Sequence, residues 1–196
     1  MLDKSDYDLN KRIAERVHAL RASRGLTLDA LAERSGVSRS MISSIERAEC
    51  SPTAVLLERL AAALGVALAS LFDVRDRNAK PLARLADQQR WRDPASGYIR
   101  RNVSPSGFAS PIQIVEVEFP PGAQVAYETG ARDVCVHQQV WVLEGDIDVR
   151  VGEEWHELHA GDCLAFILDR PTAFHNRTRQ SARYAVVIVS RPDHRR

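Results

Sequence analysis

Apolar positions recur at helical spacing through the first third of the chain and at alternating spacing through the last. Leu9, Ile13, Val17 and Leu20 fall at intervals of four, four and three, which predicts an amphipathic helix over residues 8–23 that Gly25 ends. Asp8 or Ser5 can cap its start, and Arg21 and Arg24 stand near its negative end, where cations are favoured. Thr27 opens a second helix as its N-cap, and Leu28, Leu31 and Ala32 follow at helical spacing. Ser35-Gly36 interrupts the pattern, and Val37, Ile42 and Ile45 resume it on a short third helix over residues 38–46. Gly36 suits the tight turn between the two because a positive φ costs a residue without Cβ nothing. After a turn at Ser51-Pro52, a fourth helix starts near Thr53, carries Leu56, Leu57, Leu60, Ala61 and Leu64, and stops at Gly65. Val66, Leu68, Leu71 and Phe72 predict a short fifth.

Residues 74–101 show no sustained period, although the stretch LARLADQQRW reads as a short helix or an extended entry. From Ile112 the period shortens to that of strands. Ile112, Ile114, Val115, Val117 and Phe119 form one, Pro120-Pro121-Gly122 turns, and Val134 to Leu143 forms an apolar strand ending at Glu144-Gly145-Asp146. Ile147, Val149 and Val151 alternate with polar residues, Trp155 to Leu158 follows, and Cys163 to Leu168 reads as a buried strand. Strands from Phe174 and over Tyr184 to Val189 complete seven or eight, the pattern of a double-stranded β-barrel or jelly roll. The expected organisation is a five-helix domain over residues 1–73, a basic linker and entry segment over 74–109, and a β domain over 110–196.

Composition narrows the function classes. The chain is 44% hydrophobic and 27% charged, with no apolar run of membrane-spanning length, and its polar start MLDKSDYDLNKR has no signal-peptide core, so a cytoplasmic protein is expected. Cys50, Cys135 and Cys163 are odd in number and form no CxxC pair, which argues against a disulfide frame or a zinc site. The net charge of +1 hides a basic middle block: residues 74–101 hold eight basic and three acidic side chains. Arg75, Arg77, Lys80, Arg84, Arg90, Arg92, Arg100 and Arg101 either form a solvated linker or add phosphate contacts.

The third helix turns an unusual face to solvent. Ser38, Arg39, Ser40, Ser43 and Ser44 set short hydroxyls around one guanidinium, a set that enters a major groove without crowding. Thr27, at a helix start, can also hold a DNA phosphate. The run LAERSGVSRSMISSIER, then Ser51-Pro52, then LAAALGVAL and LF, resembles the XRE-type, phage-repressor-like helix-turn-helix family over residues 8–73. That resemblance implies a five-helix domain whose third helix enters the major groove. It puts Ser38, Arg39, Ser40 and Ser44 at base-contacting and adjacent phosphate-contacting positions. It gives Glu46 an internal support role, paired with Arg12 or Arg16. A helical bundle used for protein contacts is the alternative.

The stretch WVLEGDIDVRVGEEWHELHAGDCLAFILDRPTAFHN resembles the join between the two cupin motifs, so the whole chain resembles XRE-cupin transcription regulators. That resemblance implies a barrel that binds a small molecule or a metal and changes the operator affinity of a dimer. Metal-dependent cupins use a His pair, a Glu and a further His. Alignment on Gly145 and Asn176 puts Arg132, Val134, Gln138 and Thr172 at those positions, so neither a metal, a cofactor nor catalytic residues are expected. His137 and His175 lie one residue off the inward parity, and His156 and His159 sit on an outer hairpin. Inward parity gathers Arg132, Gln138, Val140, Thr172, Phe174 and Asn176 as an effector pocket, with Arg132 suited to a carboxylate, unless the barrel is filled by its own side chains.

The expected function is a sequence-specific regulator that senses a metabolite without a metal. The alternatives are a metal-dependent cupin oxygenase or isomerase fused to a DNA-binding domain, and a ligand-free repressor of its own operon. The expected partners are a palindromic or pseudo-palindromic double-stranded operator, a small-molecule effector and a second copy of the chain, with no membrane. Trp141 and Leu143, with outward parity on an apolar strand, mark the dimer surface.

Overall fold

A computed structural model of the chain describes residues 4–72, 79–128 and 134–192. The first unit is built of α1 (Lys4–Ser23), α2 (Leu28–Ser35), α3 (Arg39–Glu46) and α4 (Ala54–Ala63). Hydroxyl caps start the last three: Thr27 accepts from the Ala30 amide at 3.1 Å, Ser38 from Met41 at 3.2 Å and Thr53 from Leu56 at 3.3 Å. Gly36 closes α2 at φ 65°, the left-handed conformation that the turn requires. Ile13, Val17, Leu31, Ile42, Ile45, Leu57, Leu60 and Leu64 are fully buried between the helices. The expected fifth helix is instead a four-residue 3-10 turn, Leu68–Leu71, so the unit has four α-helices. Bonds from Ser70 N to Ala67 O and from Phe72 N to Ala69 O close this tighter turn before a full α-turn can form.

The second unit is antiparallel: β1 (Arg90–Arg92), β2 (Ile99–Asn102), β3 (Ile112–Phe119), β4 (Gln124–Tyr127), β5 (Val134–Glu144), β6 (Ile147–Val151), β7 (Glu154–Leu158), β8 (Cys163–Ile167), β9 (Thr172–His175) and β10 (Ala182–Pro192). They form a six-stranded sheet, β1-β2-β3-β10-β5-β8, and a four-stranded sheet, β4-β9-β6-β7. The expected double-stranded β-barrel or jelly roll is present as two sheets, which do not close into a barrel. Turns such as Gly145-Asp146 pass the chain from one sheet to the other, and among the described residues no ladder joins the sheet edges. Cys163 to Leu168, expected to be buried, is an edge strand on which Cys163, Ala165 and Ile167 face outward.

The basic segment does more than connect. Its β1 and β2 extend the larger sheet and bury Trp91, Tyr98 and Arg100. Acids on β3 engage its outward arginines: Arg90 pairs with Glu118 at 3.0 Å and Arg101 with Glu116 at 2.7 Å. Arg75 and Arg77 lie outside the described residues.

The segment also bolts the two units together. Asp93, buried, accepts from the first amide of α4, Ala54 N, at 2.9 Å through one carboxylate oxygen. Its other oxygen accepts from Ser96 N at 2.8 Å and Ser96 Oγ at 2.6 Å. Phe72 meets the Trp91 ring edge-on at 5.5 Å, and Arg59 of α4 pairs with Glu128 at 2.9 Å. One connected apolar core consequently runs from Leu9 to Ile188.

Candidate DNA-reading face and effector cavity

The reading face is assembled by local rules. Ile42 and Ile45 anchor α3 in the core, which leaves Arg39 and Ser40 exposed and Ser43 and Ser44 half-buried on its other side. Ser38, expected within the helix, is its N-cap, with its Oγ 3.2 Å from that of Ser40. Thr27 caps α2 on the exposed side. Both hydroxyls accept an amide proton in their caps, and each can turn its own proton to a phosphate oxygen, Ser38 in exchange for its contact with Ser40. Arg39 Nε lies 3.1 Å from Asp29 Oδ1 with both side chains in solvent, an ion pair worth little and easily exchanged for a DNA contact. Arg47, just past the helix, donates to Ser43 Oγ at 2.5 Å and to Glu49 at 2.7 Å.

Glu46 supports this helix from inside, but its partners differ from those expected. It accepts from Arg21 Nε and Nη2, each at 2.7 Å, and lies 2.9 Å from His18 Nδ1. Arg16 instead donates to Ser70 O at 3.1 Å, and Arg12 faces the Gln89 amide. Burial works against the charged Glu46, yet the hydrogen bonds and charges of Arg21 and His18 prevail and hold its carboxyl below its ordinary value.

A cavity with an internal volume of about 60 Å³ lies between the sheets, several times the room one water needs. Of the six expected pocket residues it brings together Gln138, Thr172 and Phe174. Val140 is buried in the core without lining the cavity. Asn176 is buried as a turn clamp: its Nδ2 donates to Phe119 O and Gln180 O, and its Oδ1 accepts from Thr178 N and Oγ1. Arg132 lies outside the described residues.

The remaining lining was not anticipated. Tyr98, Tyr127 and Tyr184 point phenols inward, with the Tyr98 and Tyr127 hydroxyls 3.2 Å apart. Burial pushes Tyr98 up to about 12 and the other two well above their ordinary value, so all three are neutral hydrogen-bonding groups. Arg100 of β2 supplies a cation whose guanidinium stacks 4.7 Å from the Phe72 ring centroid. Glu58, Ala67, Leu68 and Ala69 come from the helical unit and close one side. Glu58 left a legible signal, an acid three and four residues from the buried Ala61 and Ala54 on one stripe of α4.

The histidines do not join this cavity. His137 is exposed, with Nε2 3.5 Å from Cys135 Sγ, and His175 accepts from Arg177 Nε at 3.2 Å. His159 pairs with Asp146 at 2.9 Å in solvent, and His156 is half-buried. The cavity's described donors are phenols, a hydroxyl, an amide and one carboxylate beside a guanidinium. They do not fit a divalent metal of the cupin kind, and no cluster of three or more His, Cys, Asp or Glu side chains suited to one occurs among the described residues.

A helix-turn-helix unit with an exposed reading helix, seated on a two-sheet unit with an internal cavity, defines a DNA-binding regulator with a cupin-type partner domain. The comparisons agree. The family model described as helix-turn-helix matches residues 17–71, and the one described as cupin domain matches residues 115–189. The HTH-type transcriptional regulator SutR of Escherichia coli is 27% identical over 181 residues, covering 92% of this chain and 96% of SutR. An uncharacterized HTH-type transcriptional regulator, y4dJ of Sinorhizobium fredii, is 38% identical over 69 residues, which cover 35% of this chain and 90% of that protein. The crystal structure of an HTH_3 family transcriptional regulator from Vibrio cholerae superposes with a TM-score of 0.72 at 28% identity, covering 94% of this chain and 98% of that one. The chain belongs to the XRE-type helix-turn-helix transcriptional regulators that carry a cupin domain.

Proposed function

We propose that this DNA-binding regulator is a cytoplasmic homodimer, not an enzyme, that binds a palindromic or pseudo-palindromic operator through Thr27, Ser38, Arg39, Ser40, Ser43 and Ser44. Its cavity takes a small organic effector without a metal. The observation that carries this reading is the shared wall of the cavity: Glu58, Ala67, Leu68 and Ala69 belong to the unit that holds the reading helix, and Gln138, Thr172 and Phe174 to the sheets. A ligand bound there touches both units. Any difference in its affinity between two seatings of the DNA-binding unit becomes a change in operator affinity, typically about 1–3 kcal/mol. Dimerisation is supported by the outer face of the six-stranded sheet. Ile112, Trp141 and Ile167 are 45%, 49% and 40% exposed there, beside Ala185, Val187 and Val189. Leu143 is half-buried, at the irregularity where β5 and β10 shift register, so Trp141 is the main anchor.

The test is a thermal-shift screen of metabolites on metal-stripped protein, followed by calorimetry and operator titration with each hit. A hit is expected to bind without metal, to shift operator affinity, and to lose its effect in Gln138→Ala and in Thr172→Trp, which fills the cavity. Binding that returns only with a divalent metal, or that ignores both substitutions, refutes the reading.

A further inference from the structure

Glu58 is a buried acid of the DNA-binding unit. It sits on the apolar stripe of α4 with Ala54, Leu57 and Ala61, is 4% exposed, and lines the cavity. A carboxylate withdrawn so far from water costs stability unless its charge is compensated. Arg100, 6% exposed, lines the same cavity from the other unit, and its positive charge acts on the phenols of Tyr98, Tyr127 and Tyr184. The two carry opposite formal charges, and the rest of the described wall is neutral and mostly aromatic or aliphatic. A guest with a net charge leaves one charge unbalanced in a water-poor space, whereas a neutral guest with donor and acceptor groups does not.

We propose that Glu58 contacts the effector and, set against Arg100, restricts the cavity to small molecules without net charge, a donor group facing Glu58 and an acceptor group facing Arg100. The phenols strengthen the acceptor end by offering hydroxyl protons beside the guanidinium. The stacked pairs Phe174 with Tyr184 and Tyr98 with Phe119, at 5.8 Å each, favour a compact apolar or planar body. This selectivity rests on the reading of the cavity as the effector site. It makes a residue of the DNA-binding unit part of ligand recognition.

Three small planar probes of one shape and different charge, sized to the cavity, test it on the full chain: acetamide, acetate and acetamidinium, titrated by calorimetry. The wild type is expected to bind acetamide at least about tenfold more tightly than either ion. Glu58→Gln removes the negative charge and is expected to bring acetate to first place, and Arg100→Gln is expected to bring acetamidinium there. Either variant alone is decisive, so one that fails to fold leaves the test standing. Thr172→Trp is the location control and is expected to abolish binding of all three. Binding that disappears in Thr172→Trp but keeps the same order of probes in Glu58→Gln and Arg100→Gln overturns the charge selectivity and leaves the effector site intact. Binding by none of the probes to any of the proteins, or binding that survives Thr172→Trp, overturns the effector reading and this inference with it.

Discussion

Replacing Glu46 by Ala removes the clamp between the end of the reading helix and α1. Glu46 is the last residue of α3, its side chain is 8% exposed, and it accepts two hydrogen bonds from Arg21, itself 14% exposed, at 2.7 Å each. Breaking a buried pair from one side costs about 3–5 kcal/mol because the remaining charge is stranded. Two features reduce that here: Arg21 keeps its 2.9 Å bond to Leu26 O, and His18 is 60% exposed, so its contact with Glu46 contributes little. The expected loss is about 2–3 kcal/mol, a large part of the roughly 5–15 kcal/mol that holds a domain folded. Urea unfolding of wild type, Glu46→Ala, Arg21→Ala and the double variant measures it, with a coupling energy of about 1–3 kcal/mol expected from the cycle. The pH dependence provides a second check. Glu46's folded pKa lies below its ordinary value of 4.5, so its contribution is complete above that value and is lost as pH falls through the folded one. The stability gap between wild type and Glu46→Ala is therefore expected to close on acidification below the ordinary carboxylate range. A loss under about 0.5 kcal/mol at neutral pH, or a gap that ignores acid, refutes the clamp.

Arg39→Ala is expected to cost about 1–3 kcal/mol of specific operator binding and to relax sequence discrimination. A uniform loss over all sequences with a shallower salt slope would make Arg39 a phosphate contact instead. Asp93→Ala removes the acceptor for Ala54 N and Ser96 and is expected to cost about 1–3 kcal/mol and to split one calorimetric unfolding transition into two; an unchanged single transition refutes its joining role. Trp141→Glu, which puts a charge into the exposed apolar sheet face, is expected to turn a sedimenting dimer into a monomer. Wild-type protein that sediments as a monomer at micromolar concentration removes the basis for that surface.

Legibility followed the strength of the periodic signal. Residues 115–119 alternate strictly, Ile112 and Ile114 extend the apolar run on the other parity, and together they form one strand over 112–119, while the helix-turn-helix showed both its apolar stripes and its turn glycine. Strand parity likewise put Gln138 inward and His137 outward. β1 begins at the end of the stretch that reads as a short helix or an extended entry, and β2 leaves no periodic signal, because RWR and IRRN are too short to show alternation and rich in charge, although Trp91 and Arg100 turn inward. Asn176 has the right parity and is buried, but the backbone turns beside it, and parity carries no information about where a strand stops. Glu46 found Arg21 rather than Arg12 or Arg16 because the meeting point of two helices depends on their crossing, which no single-helix period encodes. The cavity's three tyrosines come from β2's approach, β4 and β10, elements far apart in sequence that only the sheet order brings together.

Under the proposed effector reading, the joint between the units is where a bound ligand would act. An aromatic chain crosses it from Phe72 through Trp91 to Tyr98, with ring centres 5.5 and 5.9 Å apart, and continues through Phe119 and Tyr184 to Phe174 at the cavity wall. Packing of this kind is sensitive to displacement, since gaps of about half an ångström to one ångström already forfeit much of the dispersion attraction. The polar contribution to the seat is modest: Asp93's bond to Ala54 N is buried, but the Arg59–Glu128 pair is largely solvent-exposed. Trp91 buries its indole N–H in the joint without a hydrogen-bond partner among the described residues. A ligand in the cavity would touch Leu68 and Ala69 of the helical unit, beside Phe72, and Tyr98 and Phe174 of the sheets, and so meet the chain of rings on both sides of the joint.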